Sequence, residues 1–371
     1  MLLAKAIQTM ESVMQPLVKA GTASKYDPEF YGVKALTPKE RDLFSDGSLC
    51  APEGSILIVH PSVAGEDILV CSSADPTATG EALAKDVLAS LKATIANTPE
   101  LADLDTLAIP GNATSPLAAA ALARTVANSV QKPVAAIVTG TGAADVLFET
   151  CSGGMLMAPA AGMLYNWDAV LETTMKRIPV ANTMIANYVH DLTSSISEAA
   201  TLFAILKDRM LEQTSRGLSL RPAGERKLKM VVSHSKGNWG VLCALLDFEL
   251  NVVERVAAPA AARSDPKVHI VTFGNWVSLP NLKPIMADLF HYHQFMGTHD
   301  KIGGMGSSYG YARLALAGKV VGSDQGVDHQ ANPDEALYFK CSHGVDPAKA
   351  HGVDPAKADH LPIEEILRKI K

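Results

Sequence analysis

The sequence contains no CxxC pair and no apolar run of the roughly 18 residues that a membrane-spanning helix needs. Its cysteines are widely and irregularly spaced, so we expect buried free thiols rather than a disulfide framework or a zinc knuckle; they are Cys50, Cys71, Cys151, Cys243 and Cys341. Residues 1–19 lack the basic region, long apolar run and small-residue cleavage site of a secretory signal. These absences together predict a cytoplasmic protein.

The chain is also poor in charge, with 19% charged residues and a formal net charge of -6. No basic stripe offers a footprint for phosphate groups, so nucleic acid is not expected as a partner. Hydrophobic residues make up 47% of 371 residues. This content excludes a mainly disordered chain and supports a large core without disulfides or metals. The length predicts two or three domains, or one large α/β domain with an insertion.

Short apolar runs alternate with helical periodicities over much of the chain. The runs that predict strands are 55–60, 67–71, 105–109, 133–138, 229–232, 268–272 and 292–296. The predicted helices between them are 80–96, 116–130, 237–248 and 280–289. Strands that alternate with helices predict a doubly wound, mostly parallel sheet that helices cover on both faces.

This pattern divides the chain into four segments. Residues 1–50 predict an N-terminal helix and arm, which either docks on the body or contacts a lipid surface. Residues 51–150 form the first part of the core and 226–371 the second. Between them, 151–225 show helical periodicity at 163–176 and 196–211 and no clear strand, which predicts a helical lid over the sheet. Near the end, HGVDPAKA occurs twice in tandem, at 343–350 and 351–358, as a duplicated surface loop before a last helix, 361–371.

The strongest chemical signal is Ser233-His234-Ser235-Lys236-Gly237 between a predicted strand and a predicted helix. This is the context of a nucleophile elbow, in which small residues at the first and last positions allow a sharp turn with a strained central residue. The turn presents the hydroxyl of Ser235. It also places the backbone N–H of Lys236 at a helix N-terminus, where it can stabilise an oxyanion.

A serine nucleophile needs a histidine base, and the base needs an acidic group to orient it. The acid candidate is Asp300, which lies between a predicted strand and a Gly-rich loop. Three later histidines are candidates for the base. His360 precedes the last helix, His329 precedes the helix start at 332–335, and His343 follows the apolar run 336–341.

The second oxyanion donor is predicted at Thr141, in a Gly-rich loop after the strand 133–138, where glycines let backbone N–H groups approach a ligand. The same Gly-x-Gly lacks the third glycine and the later acidic residue of a dinucleotide site, so no cofactor is expected. His291 and His293 alternate on one predicted strand. Since no carboxylate pair or cysteine is nearby in sequence, we expect these two histidines to lie in the core or at a sheet edge and not to bind a metal.

Several of these segments resemble the α/β-hydrolase family, and class 3 (fungal-type) lipases in particular. Residues 231–246 resemble the nucleophile segment, 268–274 (VHIVTFG) the strand between serine and acid, and 298–302 (THDKI) the acid-bearing loop. Residues 359–361 resemble the late histidine segment, which favours His360 as the base. Residues 136–145 resemble the oxyanion loop faintly, with Thr139 in place of the family's arginine. The resemblance covers 229–361 in patches and implies an α/β-hydrolase sheet with a lid.

By this resemblance, the chain is an esterase or lipase that acts on acyl esters of small or lipid-like molecules. An acyltransferase is a near variant. The hypothesis of a different class is a non-catalytic protein of the same fold that binds a hydrophobic ligand or surface through the lid. The sequence does not fix the oligomeric state.

Overall fold

The computed structural model describes residues 33–45, 48–49, 51–111, 114–140, 179–215, 217–256, 266–273, 284–295, 321–322, 327–330, 367 and 370. The strands in these residues are β1 (Ile56–Val59), β2 (Leu69–Cys71), β3 (Thr106–Ile109), β4 (Val134–Ile137), β5 (Leu211–Thr214), β6 (Gly217–Leu220), β7 (Met230–His234), β8 (Val268–Phe273), β9 (Phe290–Phe295), β10 (Val321–Gly322) and β11 (Val327–Gln330). The α-helices are α1 (Pro38–Ser45), α2 (Gly80–Asn97), α3 (Pro116–Val130), α4 (Pro179–Ser195), α5 (Ser197–Met210), α6 (Lys236–Asp247) and α7 (Pro284–Leu289). A π-helix, Phe248–Val253, continues α6.

One sheet contains nine of these strands, in the order β10-β11-β9-β8-β7-β3-β4-β1-β2. The five neighbouring pairs from β11 to β4 are parallel. Strand β1 runs antiparallel to both β4 and β2, and β10 runs antiparallel to β11. The described strands therefore confirm the predicted mostly parallel sheet.

Helices cover both faces of this sheet. Successive strand residues point to opposite faces, so β1 divides its side chains between two cores. Ile56 and Ile58 pack with residues of α2, α5 and α6, whereas Leu57 and Val59 pack with residues of α3. Both faces of β1, β3 and β4 are buried, which explains why these strands occur as continuous apolar runs in the sequence.

The direction of winding reverses between β3 and β7. Strand β3 leads through α3 to β4 on one side, whereas β7 leads through α6 to β8 on the other. Because α3 and α6 cover opposite faces, their N-termini diverge at the carboxyl ends of β3 and β7. Open α/β sheets bind ligands in the crevice at such a switch point.

The described part of segment 151–225 differs from its sequence prediction. Helix α5 matches the predicted helix at 196–211, but the chain then forms an antiparallel hairpin, β5–β6, where the pattern predicts no strand. Helix α5 belongs to the same core as α2 and α6, so it is part of the helical layer on the sheet. Residues 151–178, with the periodicity at 163–176, lie outside the described residues.

Much of both ends also lies outside the described residues, including the predicted helix at 2–17 and both copies of the repeat. In the tail, Leu367 is fully buried in the core that contains α3. Cys71 and Cys243 are free and buried, as predicted, and burial raises the pKa of both thiols. Cys50, Cys151 and Cys341 are not among the described residues. Among the described helices, none combines the length and apolar character that a membrane span requires.

Candidate active site

Ser235 occupies a strained turn at the carboxyl end of β7. Its backbone dihedrals are φ 50° and ψ -115°, which L-residues with a side chain rarely adopt. The residue before it ends β7 and the residue after it begins α6, so the strand and the helix meet at one residue. The backbone N–H of Ser235 donates to the carbonyl of Phe273 on β8, with N and O 3.0 Å apart. These contacts hold the turn in the geometry that the sequence pattern predicts.

Gly237 explains how the turn fits under the neighbouring strand. A Cβ atom at this position would lie 2.5 Å from the carbonyl oxygen of Pro110 and 2.6 Å from that of Ile109. Both oxygens belong to the backbone at the end of β3, which cannot move aside as a side chain could. The last position of the motif must therefore be glycine for α6 to start this close to β3.

Ser233 lies at the first position of the motif, where nucleophile elbows commonly have glycine, and its hydroxyl bonds to a neighbouring side chain. Its hydroxyl donates to the side-chain oxygen of Asn238 over 2.6 Å, and the Asn238 amide donates to the Phe273 carbonyl over 2.8 Å. Asn238 is 1% exposed and ties α6 to both β7 and β8. Sequence analysis did not single out Asn238, because a lone asparagine after a glycine carries no pattern.

Lys236 contributes a second set of contacts through its side chain. Its ammonium donates to the carbonyl of Thr139 over 2.9 Å and lies 3.2 Å from Glu53 Oε1 and 3.5 Å from Glu198 Oε1. Glu198 is fully buried, so the lysine offsets a carboxylate that water does not reach. Lys236 thus holds Thr139, which follows β4, close to the start of α6. Neither Glu53 nor Glu198 has a sequence signal, since both are distant from Lys236 along the chain.

Thr139 closes this side of the crevice. Its hydroxyl donates to the carbonyl of Gly111 over 3.0 Å and lies 3.0 Å from the hydroxyl of Thr114, which donates to the same carbonyl over 2.7 Å. The ends of β3 and β4 are therefore tied together beside the start of α3. At that start, Ser115 caps the helix by accepting from the N–H of Ala118.

The N-termini of two helices, α3 and α6, consequently lie at this edge of the sheet, one on each face. Each presents the positive end of a helix dipole, which favours a negative charge on a bound group. Ser235 is 9% exposed, so it lies at the boundary between this edge and the protein interior. The arrangement can stabilise an oxyanion that forms on an acyl group attached to Ser235.

The other sequence-predicted residues fall in different places. Asp300, Thr141, His343 and His360 lie outside the described residues. His329 lies in β11, in a strand and not in the predicted loop before a helix. The register from β11 through β9 and β8 places it level with Ser233 of β7. Three strand spacings separate the two backbones, which is about 14 Å.

A cavity of about 690 Å³ lies away from this turn, between α2, α5 and the β5–β6 hairpin. Its lining includes Leu88, Phe203 and Leu218, and Ser235 is not part of it. This cavity is therefore separate from the switch point. The switch point has the strained Ser235, the N-termini of α3 and α6, and the ion-paired Lys236.

Comparison with models of protein families, with curated proteins and with solved structures gives no match for this chain.

Proposed function

We propose that this protein is a serine hydrolase of the lipase and esterase type, which cleaves acyl esters through a covalent acyl-enzyme. The observation that carries the proposal is the backbone of Ser235, strained at φ 50° between β7 and α6 at the switch point of the sheet. Strain of this kind costs roughly 1–3 kcal/mol and is concentrated at functional sites, where the surrounding contacts maintain it. A turn needed only to connect a strand and a helix would not require it.

The proposed mechanism uses Ser235 as nucleophile, His360 as base and Asp300 as the residue that orients the imidazole. His360 takes the hydroxyl proton as Ser235 attacks the ester carbonyl, and the backbone N–H of Lys236 stabilises the oxyanion together with Thr141. His360 then gives the proton to the leaving alcohol, and the acyl group remains on Ser235. Water attacks this ester with His360 again as base, and the acid leaves while Ser235 recovers its proton.

The strand register favours His360 over His329 as the base. A histidine and a serine side chain together span about 7 Å between their Cα atoms when they share a hydrogen bond, which is half of the 14 Å that separates β11 from β7. A histidine that follows β11 in the chain is not fixed by this register, so it can approach Ser235 over the carboxyl ends of the strands. Leu367 is buried against the body, and His360 precedes it by only seven residues, which span at most about 25 Å.

The direction of β9 supports Asp300 as the acid. Strand β9 ends at Phe295 and lies parallel to β7, so the residues that follow β9 leave the sheet on the side of Ser235. The strand order supports an α/β-hydrolase type of sheet, because β4 lies between β1 and β3, and β7 lies next to β3. This likeness is an analogy of fold, and the chemistry is argued from the site.

The substrate proposed is an ester with an apolar acyl group. Of the predicted lid, 179–210 forms α4 and α5 of the helical layer, which leaves 151–178 as the segment that would cover the crevice. Methionine and alanine are frequent in that segment and suit contact with an acyl chain.

The test is the hydrolysis of short p-nitrophenyl esters by the full chain and by Ser235→Ala. We expect Ser235→Ala to lose a factor of about 10³ or more in kcat/KM, because covalent catalysis is lost. The control is Ser45→Ala, in α1, which is exposed and bonds only within its own helix; it should retain full activity. Activity that survives in Ser235→Ala would refute the serine mechanism. Folded protein without any activity on a panel of acyl esters would favour the non-catalytic binding protein.

A further inference from the structure

Three histidines converge on one face of the sheet, at the edge opposite Ser235. His269 of β8 pairs in register with His291 of β9, and His293 lies two residues further along β9. Residues two apart on a strand point to the same face, so all three side chains lie on the face that α3 covers elsewhere. His269 also pairs with Met230, five residues before Ser235. The cluster is thus about 16 Å from the nucleophile.

The three rings lie close together. The ring centroids of His291 and His293 are 4.2 Å apart, and those of His269 and His293 are 5.2 Å apart. One nitrogen from each ring can be chosen so that all three lie within 4.8 Å of one another. His293 is buried, whereas the other two are partly exposed, which leaves an approach from solvent.

This spacing suits a metal ion. Zn²⁺ binds imidazole nitrogen at about 2.0–2.1 Å in tetrahedral geometry, which places neighbouring donor atoms about 3.4 Å apart. In the cluster, Nδ1 of His269 and Nε2 of His293 are 3.0 Å apart. Three neutral nitrogens that lie within 4.8 Å of one another can converge on one ion and leave a fourth position for water.

A hydrogen-bonded stack of histidines is the competing explanation for the cluster. It accounts for the contact between His269 and His293, in which one ring donates to the other. It does not explain why His291 also has a nitrogen within 4.8 Å of a nitrogen of each of the other two rings. Three imidazoles this close cannot all be protonated without mutual repulsion, whereas one divalent cation attracts all three lone pairs.

We propose that His269, His291 and His293 form a binding site for a divalent transition metal, with Zn²⁺ as the ion tested first. Imidazole donors suit Zn²⁺, Cu²⁺ and Ni²⁺ better than Mg²⁺ or Ca²⁺, which prefer oxygen. The site joins β8 to β9 and stabilises that part of the sheet. It is separate from the proposed ester hydrolysis. Of the three histidines, only His291 and His293 lie close together in the sequence, without a carboxylate pair or a cysteine nearby. His269 is distant in sequence and reaches them only through strand pairing.

The test uses untagged full-length protein, stripped with a chelator and titrated with ZnCl₂ by calorimetry. We expect one equivalent to bind and the Tm to rise with free zinc, since a ligand specific to the folded state stabilises it. His291→Asn should weaken binding at least tenfold and abolish the Tm rise. His343→Asn/His351→Asn, in the tandem repeat, is the matched control and should bind zinc as the parent does.

A parent protein that binds no zinc, or a His291→Asn variant that binds it unchanged, would overturn the proposal. Loss of binding in the repeat variant would assign the ion to the tail instead and would also overturn it. Should His291→Asn not fold, His269→Gln replaces it, and the Co²⁺ complex of the parent provides a second readout. Tetrahedral coordination by three histidines gives that complex a strong visible absorption, and its absence would contradict the site.

Discussion

At the scale of single residues, Ser235 has both the hydroxyl that we propose as nucleophile and a strained backbone. Its φ of 50° suits glycine, and any residue with a Cβ atom is strained there. Ser235→Gly and Ser235→Ala both remove the side-chain hydroxyl, but only glycine relieves the strain. Allowing for the extra entropy that glycine loses on folding, we expect Ser235→Gly to be about 1 kcal/mol more stable than Ser235→Ala. Urea unfolding of the two variants measures this difference, and equal midpoints would mean that the turn is unstrained.

Gly237 permits a second residue-scale prediction. An added Cβ would meet two backbone carbonyl oxygens at 2.5 and 2.6 Å, so Gly237→Ala must displace α6 from β3. We expect a loss of about 2 kcal/mol or more in the free energy of unfolding, as for an overpacked core.

Gly224→Ala is the matched control for Gly237→Ala. A Cβ atom at Gly224 would meet nothing within 4 Å, and its φ is not in the left-handed region. Its effect should stay within about 0.5 kcal/mol. Similar losses in the two variants would show that close packing does not explain the glycine at the end of the motif.

At the scale of elements, a histidine–aspartate pair joins α4 to α6. The Nδ1 atom of His190 lies 2.9 Å from Oδ2 of Asp247, whose carboxylate is fully buried and also accepts from the amide of Asn251 over 2.7 Å. The hydrogen bond to Asp247 raises the pKa of His190 above 6.5. Folding therefore favours the protonated imidazole, and the charged pair holds the two helices together.

Stability should consequently fall as the pH rises. A raised folded-state pKa contributes stability that is fully present below the unfolded pKa and is lost as pH rises through the folded pKa. We expect the urea midpoint of the parent to fall as the pH rises from below the unfolded-state pKa of histidine through the raised folded-state pKa, and to fall less in His190→Gln. The same pH dependence in both proteins would show that the pair does not link α4 to α6 in this way.

Elements with a strong apolar pattern were predictable from the sequence, and those set by distant contacts were not. The structure confirms β1, β3 and β4, which are continuous runs of buried residues. It also confirms α3, which Ser115 and Pro116 begin. Strands β5, β6 and β11 are short and partly polar, so only pairing with a partner strand defines them.

The same distinction applies to the site. The turn at Ser235 was visible because strand, motif and helix are adjacent in sequence. The contacts of Lys236 with Glu53 and Glu198, and the bridge through Asn238, join segments that are far apart in the chain or carry no motif. Such contacts depend on how the layers pack, which a single sequence does not specify.

At the scale of the whole molecule, the order and register of the strands determine how far His329 lies from Ser235. The register of β11 keeps His329 about 14 Å from β7, whereas the buried Leu367 returns the tail to the body. His360→Ala should therefore lose as much kcat as Ser235→Ala, and His329→Ala should stay within about tenfold of the parent. Since members of a triad act as a unit, the Ser235/His360 double variant should be scarcely worse than either single variant.

Steady-state kinetics on p-nitrophenyl butyrate measures these effects, and His343→Ala completes the set. If His329→Ala were the inactive variant, His329 would have to lie closer to Ser235 than the register of β11 allows. If His343→Ala were inactive, the base would lie in the first copy of the repeat.

The central claim, that Ser235 is a nucleophile activated by its turn, is tested most directly by labelling the folded chain with a fluorophosphonate probe. The tryptic peptide 230–236 contains both Ser233 and Ser235, so fragmentation mass spectrometry distinguishes the two hydroxyls. We predict one label per chain, on Ser235, and none on Ser233, whose hydroxyl is buried and bonded to Asn238. Labelling should disappear in Ser235→Ala and persist in Ser45→Ala. A folded parent that takes no label, or a label on another serine, would contradict the account.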